Sequence, residues 1–189
     1  MENKFKVAVL DDDKIYLNLI KKKIEKLSIA ERIEVRIYKT GRDFMADGFI
    51  PNMLILDYHL DGSKYKKGSE VLSVVRKLMK RTMVYMISGK QNDGLIMDLL
   101  KNGASDFFEK DASLLSNIVA HLKDEYRHFK EDLKVWQARD IKSKLTWGVL
   151  IFGIAPLLLQ VAQPAMVPIY VMLALGVFMG YAVAYHFRA

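Results

Sequence analysis

Residues 51–57 read Pro-Asn-Met-Leu-Ile-Leu-Asp, four consecutive apolar side chains followed at once by a carboxylate. So short a run without alternation suits a strand covered on both faces, as in a parallel sheet. The flanking sequence repeats the pattern. Residues 5–10, Phe-Lys-Val-Ala-Val-Leu, run into Asp11-Asp12-Asp13, residues 83–87 end at Ser88-Gly89, and Phe107-Phe108 leads to Lys110. Residues 33–38 alternate as a further strand. Between the strands, apolar residues recur at helical spacing: Ile15, Leu19, Ile20, Ile24 and Leu27, then Val71, Leu72, Val75 and Leu78, then Leu95, Leu99 and Leu100 before Gly103. Thr40-Gly41 opens a short helix that Gly48 closes, and a long helix begins near Ala112. Five strand–helix alternations predict an α/β domain with a five-stranded parallel sheet wound on both faces.

In such a sheet, ligands bind outside the carboxyl ends of the strands. Those ends carry Asp11, Asp12, Asp13, Asp57, Ser88 and Lys110. Clustered carboxylates repel unless a cation neutralises them. Asp11, Asp12 and Asp57 would form a hard-oxygen site suited to Mg²⁺. An aspartate can serve as a nucleophile and form an acyl phosphate, with a lysine and a hydroxyl holding the remaining phosphoryl oxygens. Singly the residues are ordinary: Asp13 can be a helix cap, Ser88 a turn residue, Phe107 core and Lys110 surface. Their order and spacing as a set carry the reading.

That set resembles the response-regulator receiver family over residues 4–125. The resemblance rests on Leu-Asp-Asp-Asp at 10–13, Leu-Asp at 56–57, Ser88-Gly89, and Gly-Ala-Ser-Asp-Phe-Phe-Glu-Lys at 103–110. It implies a flavodoxin-like, doubly wound fold with Asp57 as phosphoacceptor. Asp11, Asp12, Asp57 and the backbone carbonyl of His59 would be the Mg²⁺ ligands. Ser88 would be the switch hydroxyl, Lys110 the counter-ion of the phosphoryl group, and Phe107 the aromatic that rotates between outward and inward states. The donor would be a sensor histidine kinase or a histidine phosphotransfer protein. The chain would then be no enzyme beyond its own phosphorylation and dephosphorylation. It departs from the family in three places. Asp111 stands where proline usually follows the lysine, the loop at 61–68 is about three residues longer and lacks a proline, and Phe107 has no hydroxyl.

Charge divides the chain. Lys and Arg exceed Asp and Glu by three over residues 1–125 and by four over the shorter 126–189. No Asp, Glu, Lys or Arg occurs from 145 to 185. As one helix those residues would measure about 60 Å, twice a hydrocarbon core of roughly 30 Å. Gln160, Gln163, Pro164 and Pro168 break the stretch, so two transmembrane spans are expected, near 146–162 and 166–185, as a helical hairpin. Lys130, Lys134, Arg139, Lys142 and Lys144 form a basic collar before it, and His186 and Arg188 follow, which predicts both ends on the cytoplasmic side of the inner membrane and contact with anionic lipid. Ala174, Gly176, Gly180 and Ala184 suit close helix packing. Neither span holds an ionisable residue, so a pore is not suggested. Nucleic acid is not an expected partner, because no recognition helix-turn-helix or aromatic-basic platform is present. There is no cysteine, the histidines lack metal-ligand spacing, and no secretory signal opens the chain.

Between the two regions, Leu115, Val119, Leu122, Tyr126, Phe129, Leu133 and Trp136 alternate at steps of four and three, a heptad seam. With Val119 and Tyr126 at a, Glu125 falls at g and Lys130 at e. The seam predicts a homo-oligomer through 115–136, or else a long helix packed on its own domain or lying along the membrane. The expected organisation is a receiver domain at 1–125, a helical juxtamembrane linker at 126–144 and a transmembrane hairpin at 145–189. The reading is a membrane-anchored response regulator signalling to an unknown membrane effector. The alternative is a receiver-fold scaffold of a membrane complex that works without phosphorylation. A phosphatase of the haloacid-dehalogenase type, suggested by Asp11-x-Asp13, lacks a cap domain and an acidic pair after the lysine.

Overall fold

The apolar runs form five parallel strands, β1 (Phe5–Leu10), β2 (Ile33–Tyr38), β3 (Met53–Asp57), β4 (Met83–Ser88) and β5 (Asp106–Glu109), in the order β2-β1-β3-β4-β5. The helices are α1 (Lys14–Glu25), α2 (Gly41–Ala46), α3 (Gly68–Leu78), α4 (Asp93–Lys101) and α5 (Leu114–Gly148). The structure is a computed structural model, and it describes residues 3–60, 65, 67–89 and 93–149. Every residue of β3 is buried, as its unbroken apolar run requires of the middle strand.

Successive side chains of a strand point to opposite faces, and this splits the core in two. Val7, Val9, Met53, Ile55, Tyr85, Ile87 and Phe108 pack with Leu17, Ile20 and Ile24 of α1 and Leu114, Ile118, Leu122 and Tyr126 of α5. Ala8, Leu10, Leu54, Leu56, Val84 and Met86 face the other way, onto Phe44 of α2, Val71, Leu72 and Val75 of α3, and Leu99 of α4.

Helix phase is set by the caps. The Asp13 carboxylate accepts from the Ile15 N–H at 2.7 Å and starts α1. From that start the inward stripe is Leu17, Ile20 and Ile24, so Ile15 and Leu19, expected on the apolar face, are exposed at 67% and 44%. Leu78 and Leu100 are likewise exposed. Thr40 caps α2 by accepting from the Asp43 N–H. Gly48 and Gly103 take positive φ past the ends of α2 and α4, where a left-handed residue closes a helix without a Cβ penalty.

Along α5, Leu122 and Tyr126 of the heptad seam are buried, and Leu115 and Phe129 pack against the same cluster. The Phe129 ring meets Phe5 edge-on at 5.3 Å. This part of the seam is therefore occupied within its own unit. Leu133 is half-buried and Trp136 is exposed.

The chain divides into two units, Met1–Phe129 and Lys130–Ala189. The helix α5 is continuous through the predicted linker to Gly148. Apart from residues 146–149, the two predicted membrane spans lie outside the described residues, as do residues 61–64 and 66 of the predicted longer loop. Among the described residues, no helix is long and apolar enough to cross a membrane.

Candidate functional site

The alternation that divides the core also assembles the site. Asp11 continues the phase of Val7 and Val9, Asp57 that of Met53 and Ile55, and Lys110 that of Phe108. All three thus belong to the α1/α5 face, Asp57 as the last residue of β3 and Asp11 and Lys110 just past the ends of β1 and β5. Leu10 pairs with Leu56 in the ladder, so Asp11 and Asp57 emerge side by side. Lys110 starts one strand further away, since β4 lies between β3 and β5. Its backbone is fixed by the Lys110 N–H donating to the Ser88 carbonyl at 2.8 Å, and its four-carbon stem reaches back across β4.

The ammonium ends between the two acids. Lys110 Nζ donates to Asp57 Oδ2 at 2.8 Å and lies 2.7 Å from Asp11 Oδ2. Asp11 and Asp57 are buried. Burial pushes the Asp11 carboxyl up to about 6 against the pull of Lys110, and the neighbouring Asp57 charge adds to the rise. Burial likewise raises Asp57, opposed by Lys110 and by a hydrogen bond from the His59 backbone. Burial works against the Lys110 charge, but its bonds to Asp11 and Asp57 outweigh it and the ammonium is held above its ordinary range. One positive charge thus faces a group of acids that is costly to ionise.

A divalent cation fits this group. Asp11, Asp12 and Asp57 each offer a carboxylate oxygen, all within 4.8 Å of one another. Asp11 Oδ1 accepts from the Asp13 N–H at 2.8 Å. The buried Oδ2 meets the Lys110 ammonium at 2.7 Å. Three hard carboxylate oxygens this close together suit Mg²⁺ better than they suit each other. His59 is the second residue after β3 and forms an isolated bridge with Lys67.

Ser88 and Phe107 lie on the opposite phase. Ser88 is buried at the end of β4 and continues the phase of Met86, while Phe107 is half-buried against the α2–α4 cluster. The sequence-derived residues therefore form a charged group over the α1/α5 layer and a hydroxyl–aromatic pair over the other. Asp13 is the α1 cap. The acid of Asp111 is turned away into a turn, accepting from the Ser113 N–H at 2.8 Å and hydroxyl at 2.7 Å, and these bonds hold its carboxyl below the usual range.

Two residues not singled out from sequence border the site. The Lys110 ammonium lies 4.4 Å from the centre of the Tyr16 ring. Tyr16 is the fourth residue after the first-strand Asp pair, on the turn of α1 that precedes Ile20, and that helical position is the only sequence signal for it. Gly68 opens α3 with its N–H donating to the Tyr58 carbonyl at 2.7 Å. A Cβ there would meet the Asp57 carbonyl oxygen. Its signal was a glycine at the end of a polar loop before an apolar helical stripe.

The sequence profile of the family described as response regulator receiver domain matches residues 7–123, which takes in every one of these side chains. The chain belongs to that family. Among solved structures, this receiver is similar to the BeF3-activated receiver domain of DrrB, a Thermotoga maritima protein, at 24% identity, with 66% of this chain and 98% of that chain covered and a TM-score of 0.57. It is similar to a CheY-like receiver domain protein from Methanospirillum hungatei at 23% identity, covering 66% and 98%, with a TM-score of 0.55. It is similar also to the phosphorylated cyanobacterial phytochrome response regulator RcpA at 23% identity, covering 64% and 92%, with a TM-score of 0.55. At these identities the likeness speaks for the fold. No curated protein matches the chain. The receiver thus keeps the acids, hydroxyl and lysine that the resemblance implied, at one edge of the sheet.

Proposed function

We propose that this receiver accepts a phosphoryl group on Asp57 from a histidine kinase or histidine phosphotransfer protein, and signals at a membrane to which its tail anchors it. One observation carries the reading: a buried Asp57 carboxylate that shares the Lys110 ammonium with Asp11 at 2.8 and 2.7 Å, with a third carboxylate beside them. An Asp57 oxygen attacks the phosphorus of a phosphohistidine. The oxygen–phosphorus bond forms, the phosphorus–nitrogen bond breaks, and the electron pair leaves on the imidazole nitrogen, which takes up a proton. Lys110 offsets the charge carried on the phosphoryl oxygens, and Ser88, one residue past the Ile87 that pairs with Asp57, supplies the hydroxyl. Asp11, Asp12, Asp57 and the His59 carbonyl would hold Mg²⁺, which would supply further neutralisation of that charge. Two of the similar structures bear names that describe an activated and a phosphorylated receiver. Apart from forming and losing its own acyl phosphate, the chain is not an enzyme in this reading.

The anchor rests on sequence: 41 residues without Asp, Glu, Lys or Arg, preceded by Lys142 and Lys144 and followed by His186 and Arg188. With these flanks the receiver and both tail ends face the cytoplasm at the inner membrane, and the partners are lipid and a membrane effector, not nucleic acid. Self-association is retained for the part of the seam beyond Phe129, where Trp136 is exposed.

The test uses the full chain in mild detergent with Mg²⁺ and phosphoramidate as donor. Wild type is expected to gain one phosphoryl mass, and Asp57→Asn none. No uptake by the wild type would favour the scaffold alternative. Alkaline carbonate washing of membranes should leave the full chain in the pellet and release a chain ended at Lys144; release of both would remove the anchor.

A further inference from the structure

We propose that Tyr16 is a positioning residue for Lys110, its ring face holding the ammonium at the site while both carboxylate partners of that ammonium change during phosphoryl transfer. The inference rests on the reading of Asp57 as phosphoacceptor and adds a residue to it.

Lys110 Nζ has three neighbours of opposite or complementary charge: Asp11 Oδ2 at 2.7 Å, Asp57 Oδ2 at 2.8 Å and the Tyr16 ring centre at 4.4 Å. An ammonium within about 6 Å of an aromatic centre is drawn to the negative face of the ring, more strongly where water is partly excluded. Water is partly excluded here, since the Lys110 side chain is only 11% exposed. The two acids are not constant partners. Transfer converts one Asp57 oxygen into the bridging oxygen of an acyl phosphate, and a divalent cation at the Asp11, Asp12 and Asp57 group would draw on the Asp11 carboxylate as well. The ring is unaltered by either event. It is also held from outside the site, because Tyr16 packs against the core cluster of the α1/α5 face.

A lysine stem is flexible and carries about 2 kcal/mol of rotamer entropy, so an ammonium released by both acids would swing toward water. The backbone of Lys110 is pinned by its bond to Ser88, and the following turn by Asp111 and Ser113. Neither contact reaches the ammonium. Tyr16 does. The hydroxyl of Tyr16 takes no part in this argument, so the ring alone should suffice.

The experiment compares full-length wild type, Tyr16→Phe and Tyr16→Leu. The first readout is the phosphoramidate concentration dependence of phosphoryl uptake. Loss of the ring is expected to lower the saturating rate roughly fivefold with little change in half-saturating donor, and Tyr16→Phe is expected to recover most of it. The second readout needs no phosphorylation: acylation of Lys110 by a small activated ester, with saturating Mg²⁺ present to engage the acids, located by peptide mass spectrometry. Lys110 should react several-fold faster in Tyr16→Leu than in wild type or Tyr16→Phe. Thermal midpoints check that the Leu variant is folded. Equal saturating rates and equal acylation in wild type and Tyr16→Leu would overturn the proposal, as would a Phe variant as impaired as Leu. If wild type itself takes up no phosphoryl group, the phosphoacceptor reading fails, and the acylation pattern still decides whether the ring holds Lys110.

Discussion

Replacing Gly68 by alanine tests how α3 is seated against the phosphoacceptor. A Cβ on Gly68 would run into the Asp57 carbonyl oxygen and stand 3.1 Å from its carbonyl carbon and 2.9 Å from Met86 Cε. Carbon–oxygen contacts settle at about 3.3–3.6 Å, so a gap of roughly 1 Å must open. The Met86 methyl can rotate away, but the Asp57 oxygen is backbone in a fully buried strand. The start of α3 cannot easily retreat, because the Gly68 N–H is bonded to the Tyr58 carbonyl. Overpacking of this kind costs about 1–3 kcal/mol, which at about 2–4 °C per kcal/mol for a chain of this size lowers the thermal midpoint by about 2–12 °C. Displacement of about 1 Å at a reacting group costs about a hundredfold in rate, so phosphoryl uptake from phosphoramidate should fall by up to that factor. Gly89→Ala is the matched control: it follows Ser88 directly, yet among the described residues nothing lies within 4 Å of its Cβ position. Circular dichroism gives the midpoint and intact mass gives the uptake. A Gly68→Ala chain indistinguishable from Gly89→Ala in both would refute the claim that α3 abuts the Asp57 backbone.

Three further outcomes follow from the same geometry. Asp11 without bound metal keeps its proton to about pH 6, so Mg²⁺ affinity measured by calorimetry should rise about tenfold per pH unit up to that point and then level. Because this folded value lies above the ordinary aspartate range, the folded state holds the proton longer than the unfolded chain. Metal-free wild type should therefore lose stability relative to Asp11→Asn as pH rises from about 4 to about 6, and a wild type that holds or gains stability relative to the variant across that window would contradict the burial argument. Asp111→Ala removes the acceptor of the Ser113 bonds and should cost about 1 kcal/mol in thermal unfolding, with phosphoryl uptake unchanged; a large loss of uptake would show that the acid acts on Lys110 after all. The chain has no cysteine, so single introduced thiols report self-association cleanly. Trp136→Cys should form an oxidised dimer and Leu122→Cys should not, whereas cross-linking at 122 would mean that α5 leaves its own unit.

The strands and the acidic edge were legible because they depend on local pattern. An apolar run ending in a charged residue is readable without knowing what lies opposite, and in a parallel sheet all such ends collect at one edge. Asp11, Asp12, Asp57, Ser88 and Lys110 follow from that alone. Helix phase was less legible. Ile15 and Leu19 scan as an inward stripe until the Asp13 cap fixes where α1 begins, after which Leu17 takes their place. Tyr16 was hidden for the same reason, since its approach to Lys110 combines the phase of α1 with the reach of a side chain from a strand two positions away from β3. The heptad seam shows a different limit. Steps of four and three describe a face that needs covering, but not what covers it, and over Leu122 and Tyr126 the cover is the receiver's own sheet.

That cover matters for how a change at Asp57 could leave the site. Lys110 is four residues from Leu114, the first residue of α5, and the Asp111–Ser113 turn between them is held by two hydrogen bonds. Further along, Glu125 of α5 accepts the Tyr85 hydroxyl at 2.7 Å. Tyr85 stands three residues before Ser88 on β4 and stacks on Phe108 of β5 at 5.7 Å. The helix is thus tied both to the strand that leads into Lys110 and to the strand that ends in Ser88. Pulling Lys110 toward a phosphoryl group would act at the first tie, and a turn of Ser88 would act through β4 at the second. In the proposed function both displacements bear on one helix, and that helix runs unbroken to Gly148, at the threshold of the uncharged tail. A signal carried by α5 would need no separate effector domain to reach the membrane; it would need only that the contacts of Leu122, Tyr126 and Phe129 with the sheet differ between the two states of Asp57.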